Sequence, residues 1–205
     1  MKLSEIITIA RHSELNTLAV KDNVPAIVSF INLGLLELYS QFNLYTEEFL
    51  IDLVDGTSIY DLPEDFMYLT GAFEAPTEGS QENSKPLPIN EESNPYSVNT
   101  INYKQVQVPL NTTGAYISLL YTPKPQSFTA DDLDEEVPLP DSLVQLLLNF
   151  VAYKGHGAIR VDGQGDSDMY FTRFRRSCDE RKSQGVAIAS DDLSMDTRVY
   201  TRGFP

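Results

Sequence analysis

His12 and His156 are the chain's only histidines, and Cys178 is its only thiol. A nucleophilic relay needs Ser, His and Asp to converge, and the Gly-x-Ser-x-Gly elbow that would present the serine is absent. Lys154-Gly155-His156-Gly157 has the residue types of a phosphate loop without its spacing, and it does not open a helix after a strand. Asp162, Asp166 and Asp168 offer carboxylates, but an EF-hand loop needs alternating ligands, a central glycine and a closing glutamate, and Arg173 stands at that last position. Helix caps in an interhelical turn account for these carboxylates more simply.

The remaining chemical groups read as structural. Asp131, Asp132, Asp134, Glu135 and Glu136 form an acidic run, and such runs are usually solvated and mutually repelling rather than folded into a cation cage. Cys178 falls on an apolar helical stripe, where a thiol behaves as a small hydrophobe. One cysteine excludes an internal disulfide framework and a multi-cysteine metal site. Arg173, Arg175, Arg176, Arg181 and Lys182 form a basic cluster on the last helix, where acidic partners on another subunit or the helix C-terminal dipole are weighed above nucleic-acid contact. The expectation is a chain that is not an enzyme and holds no cofactor and no metal.

Charge is distributed very unevenly. Residues 47–141 hold 18 acids against Lys85, Lys104 and Lys124, a balance of −15 that equals the formal charge of the whole chain. The flanking residues 1–46 carry −1 and residues 142–205 carry +1. This argues against gripping duplex DNA, which requires lysine and arginine clusters. The start Met1-Lys2-Leu3-Ser4-Glu5 does not read as a signal peptide, and no apolar run approaches the ~20 residues of a membrane span.

The elements that would position these groups fall into three parts. Residues 3–11 form a short helix with Leu3, Ile6, Ile7 and Ala10 on one face. Asp22 or Asn23 caps a second helix, with Pro25 in its first turn. Val24, Ile27, Ile31, Leu35, Leu38 and Phe42 then recur at helical steps. From residue 49 the pattern turns β-rich. Residues 49–54 and 58–62 read as two strands joined at Asp55-Gly56, a hairpin signal. Residues 66–73 follow, with Gly71 marking a bulge, and then a Pro/Glu/Asn/Ser-rich excursion at 75–99. Residues 103–108 and 115–121 are further strands, and an acidic linker leads to Pro138-Leu139-Pro140-Asp141. A long helix starts there, with Leu143 and Leu147 on its stripe. After a Gly/Asp turn, Asp166 or Ser167 caps a last helix carrying Tyr170, Phe174, Cys178 and Arg181. Gly185 stops it, and residues 186–205 show no periodicity.

The expected class is therefore α+β. A helical bundle comes from residues 1–46 and 139–184, an antiparallel acidic β module is inserted at 47–138, and residues 185–205 form an extended C-terminal tail. Ile27, Ile31, Leu35, Leu38, Leu143, Leu147 and Phe174 are the candidate packing residues, between helices or between subunits.

This order of segments resembles the head-to-tail adaptor proteins of tailed bacteriophages, especially short-tailed ones. The stretches that carry the resemblance are Tyr121-Thr122-Pro123-Lys124-Pro125, the acidic spacer, Leu139-Pro140-Asp141-Ser142-Leu143 opening a helix with Leu146, Leu147 and Tyr153, the Gly/Asp turn, and the last helix at 168–184. It covers nearly the whole chain at the level of segment order, and the 75–99 excursion departs from it.

What the resemblance implies is a structural virion protein at the head–tail interface, assembled in the host cytoplasm. Such adaptors form a homo-oligomeric ring, usually a dodecamer, beneath the portal. They dock tail tube or nozzle proteins and extend the channel for DNA ejection, which DNA passes without specific binding and without a membrane. The tail commonly reaches the portal, which makes Arg198, Tyr200, Arg202 and Phe204 the candidate portal contacts, of the types that anchor interfaces. Asp131, Asp132, Asp134, Glu135 and Glu136 become candidate channel-facing or tail-facing acids. The alternative is a free acidic binding protein, such as a DNA mimic.

Overall fold

The computed structural model describes residues 1–75, 85–110, 112, 114–158 and 164–185. The chain divides into two compact units. One gathers residues 1–42 with the chain from 125 onward to the end of the last described helix, and the other is built from residues 43–124. Helices and antiparallel sheets are both present, so the class is α+β.

In the first unit, α1 (Leu3–His12) buries Leu3, Ile6, Ile7 and Ala10. A short 3-10 turn, Ala19–Asp22, precedes α2 (Val24–Gln41). Asn23 caps α2, its side-chain oxygen accepting from the Ala26 N–H at 3.1 Å, and Pro25 sits where its missing N–H is harmless. The expected apolar stripe is the buried one. Eighteen residues long with a single charge, Glu37, α2 is also apolar enough by length and composition to cross a membrane, contrary to the expectation that no run comes close. Seven of its residues are buried within the protein.

Pro138-Leu139-Pro140-Asp141 leads into a 3-10 turn, Asp141–Leu143, and then α3 (Val144–Gly157), ten of whose residues are buried. The last helix, α4 (Gln164–Ser183), begins before Asp166, which lies in its first turn rather than at the cap. Asp166 is well placed there, because a helix N-terminus favours negative charge. Gly185 adopts φ +72° and its N–H reaches the Lys182 carbonyl, so a residue tolerant of the left-handed region closes the helix.

Among the described residues, the second unit holds two sheets. One has the order β1-β7-β3-β4 and the other β2-β6-β5, all antiparallel. The strands are β1 (Glu47–Asp52), β2 (Ile59–Asp61), β3 (Phe66–Ala75), β4 (Lys85–Leu87), β5 (Asn99–Asn102), β6 (Gln105–Gln107) and β7 (Tyr116–Pro123). The hairpin expected at Asp55-Gly56 does not form. The turn exists, with Gly56 at φ +77° and Thr57 N–H donating to the Val54 carbonyl. It joins two sheets instead of two partners. β1 pairs along its length with β7, and Leu53 N–H extends that ladder to the Ala115 carbonyl. The long apolar β7, buried on both sides, is a better partner than the three-residue β2. The bulge expected at Gly71 is present: the β3–β7 register shifts between Leu69 and Gly71. Only residues 105–107 of the expected 103–108 strand pair, because Tyr103-Lys104 is the turn of a β5–β6 hairpin. Ile51, Phe66, Leu69, Val106, Ile117 and Leu119 lie at the centre of this unit's core.

Candidate assembly surface

The packing residues named from sequence lie at the centre of the helical unit. Ile27, Ile31, Leu35, Leu38, Leu143 and Leu147 are fully buried, and Phe174 nearly so. The approach of α2 to α3 depends on Gly34, where a Cβ would stand 2.5 Å from Leu147 Cδ1 and 3.1 Å from Phe150 Cδ1. Aromatic rings tie α3 to α4. Phe150 meets Phe174 edge-on at 5.3 Å, Tyr153 tilts on Phe171 at 4.9 Å, and His156 stacks on Tyr170 at 4.9 Å. His156 also has Nε2 at 3.3 Å from the Glu14 carbonyl and Nδ1 at 3.9 Å from the Asp166 carboxylate. It is a packing residue of a helix junction. Burial, then the hydrogen bond to the Glu14 carboxylate, pushes the Tyr170 phenol up to about 12. Burial pushes the Cys178 thiol up to about 12 as well, which makes it an inert small side chain.

The acidic run is not a free linker. It is a strap on the helical unit. Leu3 N–H and Ser4 N–H donate to the carbonyls of Glu135 and Leu133, and Val137 N–H donates to the Met1 carbonyl. On α2, Asn32 Nδ2 donates to the Phe128 carbonyl at 2.8 Å while its Oδ1 accepts from Phe128 N–H at 3.0 Å. Tyr39 hydroxyl donates to the Pro138 carbonyl. Lys2 pairs with Asp134 at 3.1 Å, and Gln126 donates to Glu135. The Thr129 hydroxyl and N–H both donate to Asp132 at 2.7 Å, which holds that carboxyl below its ordinary range.

The charge map therefore divides between the two units. Residues 43–124 hold twelve acids against three lysines, −9, and residues 125–141 add −6 beside the helices. In the β unit two carboxylates converge on one phenol: Tyr121 hydroxyl lies 3.0 Å from Glu47 Oε2 and 3.2 Å from Asp65 Oδ1. Burial first, then these anions, raises the Tyr121 pKa.

On α4, Arg176 pairs with Glu180, Arg173 lies over the Tyr170 ring and Arg175 over Phe171. Lys182 donates to Gln41 at 2.7 Å. A groove of about 270 Å³ between α2 and α4 is floored by Phe171, Phe174 and Cys178 and edged by Glu37, Arg175 and Asp179. Arg198, Tyr200, Arg202 and Phe204 lie outside the described residues, as does Asp162.

The SU10 adaptor protein family model matches residues 1–199. The chain belongs to that family. It is thus a phage adaptor, a structural protein of the virion's head–tail junction, in agreement with the segment order. No curated protein matches the chain. Two features of this SU10-family chain were missed in the sequence. One is the clasp of Asn32 on Phe128, which leaves no periodic trace. The other is the exposed outer side of α2, with Leu33 and Leu36, which was readable as leucines standing where an amphipathic helix places charges.

Proposed function

We propose that the chain forms a ring, usually a dodecamer in such adaptors, that joins the portal to the tail and extends the channel through which DNA leaves. It acts without catalysis, cofactor or membrane. The observation that carries this reading is the family match over residues 1–199. The fold supports it: tightly packed helices make a rigid block suited to lateral assembly, while the β unit carries −9 with no arginine. Carboxylates facing a channel let phosphate slide, because they release no counterions on contact. Facing the tail, they would steer a basic partner. Arg198, Tyr200, Arg202 and Phe204 are assigned to portal contact, as the aromatic and arginine types that anchor interfaces.

Electron microscopy of the protein mixed with the portal of the same phage tests this. The expected image is a ring of adaptor copies capping the portal. A chain that remains a monomer with portal present overturns the reading and favours the free acidic binding protein.

A further inference from the structure

β1, β4, β2 and β5 are the edge strands of the two sheets, and three of these edges are blunted. β4 and β2 are three residues long, and β4 carries Pro86. Along β5, the Thr100 N–H already donates to the Asn90 side chain at 2.9 Å. β1 differs. It is six residues long, about 20 Å, and contains no proline or glycine.

One side of β1 is paired with β7, with Glu47 opposite Tyr121 and Asp52 opposite Tyr116. The bond from Leu53 N–H to the Ala115 carbonyl fixes the alternation, so Glu47, Phe49 and Ile51 turn their backbone groups to β7. Glu48, Leu50 and Asp52 turn theirs outward, and none of these three N–H groups has a backbone partner among the described residues. The next outward N–H, that of Val54, is closed by the Tyr60 hydroxyl at 2.9 Å. The three open residues present alternating donors and acceptors to an added strand.

Charge decides which strand fits. Glu47, Glu48 and Asp52 are exposed, Leu50 is half-buried, and no lysine or arginine occurs from residue 43 to 84. This pattern disfavours a second copy. Antiparallel self-pairing through all three outward residues sets Leu50 opposite Leu50 and Glu48 opposite Asp52 at both ends, and like charges directly opposite destabilise a sheet. A strand with lysine or arginine on either side of an apolar residue, at alternate positions, meets the same edge with every pair favourable.

We propose that the outer edge of β1 docks an extended segment of a different protein, with basic side chains opposite Glu48 and Asp52 and an apolar one opposite Leu50. The segment adds a strand to the β1-β7-β3-β4 sheet. The edge stands on its own geometry, and the adaptor reading decides only where in the virion the partner stands.

The test titrates the full chain with a short synthetic peptide, valine throughout except for a central leucine and a lysine two positions to each side of it. Saturable binding is expected, with amide hydrogen exchange slowed at least roughly tenfold at Glu48, Leu50 and Asp52. The same peptide with its leucine and lysine amides N-methylated keeps its charge and should bind at least roughly tenfold more weakly. Leu50→Pro removes an outward N–H while leaving the charge and the β7 bonds in place, and should cost a similar factor. Asp52→Lys should weaken binding by roughly fivefold, and replacing one lysine of the peptide by glutamate should recover it. Equal binding of the methylated peptide, indifference to Asp52→Lys, or unchanged exchange at the three amides overturns the proposal. The peptide assay needs neither portal nor ring, so failure of the adaptor reading and failure of the edge remain distinct.

Discussion

One side chain, Asn32, satisfies both backbone polar groups of Phe128, donating to its carbonyl at 2.8 Å and accepting from its N–H at 3.0 Å. An amide carries a donor and an acceptor side by side on one planar group, so it can do both at once. This clasp ties the start of the acidic strap to α2 across ninety-six positions of sequence. Asn32→Ala leaves two partly buried backbone groups without partners. Unfolding by urea is expected to show a loss of about 1–3 kcal/mol. Asn32→Asp keeps the acceptor, loses the donor, and should fall between.

Gly34 sets the spacing of α2 and α3. Gly34→Val places branched carbons against Leu147 and Phe150, where a single Cβ already stands too close to Leu147. The small gain in helix propensity does not offset the overpacking. A destabilisation of about 1–3 kcal/mol is expected by denaturant unfolding, with secondary structure retained.

Alkaline pH should weaken the helical unit. The Cys178 thiol is raised from 9.0 to about 12 and the Tyr170 phenol from 10.0 to about 12, each chiefly by burial. Both are raised above their unfolded values, so their contribution is intact below pH ~9 and is lost as pH climbs towards 12. Unfolding measured from pH 8 to 11 should show falling stability, with a shallower fall in Cys178→Ala. Consistently, the thiol of the folded chain should react with a disulfide reagent at pH 8 far more slowly than in the unfolded chain.

Asp132 titrates low because the Thr129 hydroxyl, and then its N–H, hydrogen-bond the ionised form. A depressed folded-state pKa stabilises the strap above the ordinary carboxyl range and ceases to do so as pH falls through the folded value. Thr129→Val removes the larger cause. Carboxyl carbon NMR should place the Asp132 midpoint higher in that variant, with little change at Asp131.

Helix positions were legible because their signals are local. The stripe from Val24 to Phe42, the Asn23 cap and the Gly185 stop each follow from side-chain spacing or backbone sterics within a few residues. The bulge at Gly71 was legible for the same reason. Strand partnership was not. Asp55-Gly56 has the chemistry of a hairpin turn, yet β1 chose β7, some seventy residues away, because the β7 apolar run completes a buried sheet that the short β2 cannot.

The excess of carboxylates between residues 47 and 141 was determined by the sequence alone, together with the α+β order of segments and the absence of a catalytic motif. Tertiary structure decided where those carboxylates stand. Hydrogen bonds with Met1, Leu3, Ser4, Asn32 and Tyr39 hold the acidic run on the helices, leaving −9 with the β unit. No local pattern encodes that division, since backbone carbonyls of the strap find donors far away in the chain, and burial rather than periodicity selects them.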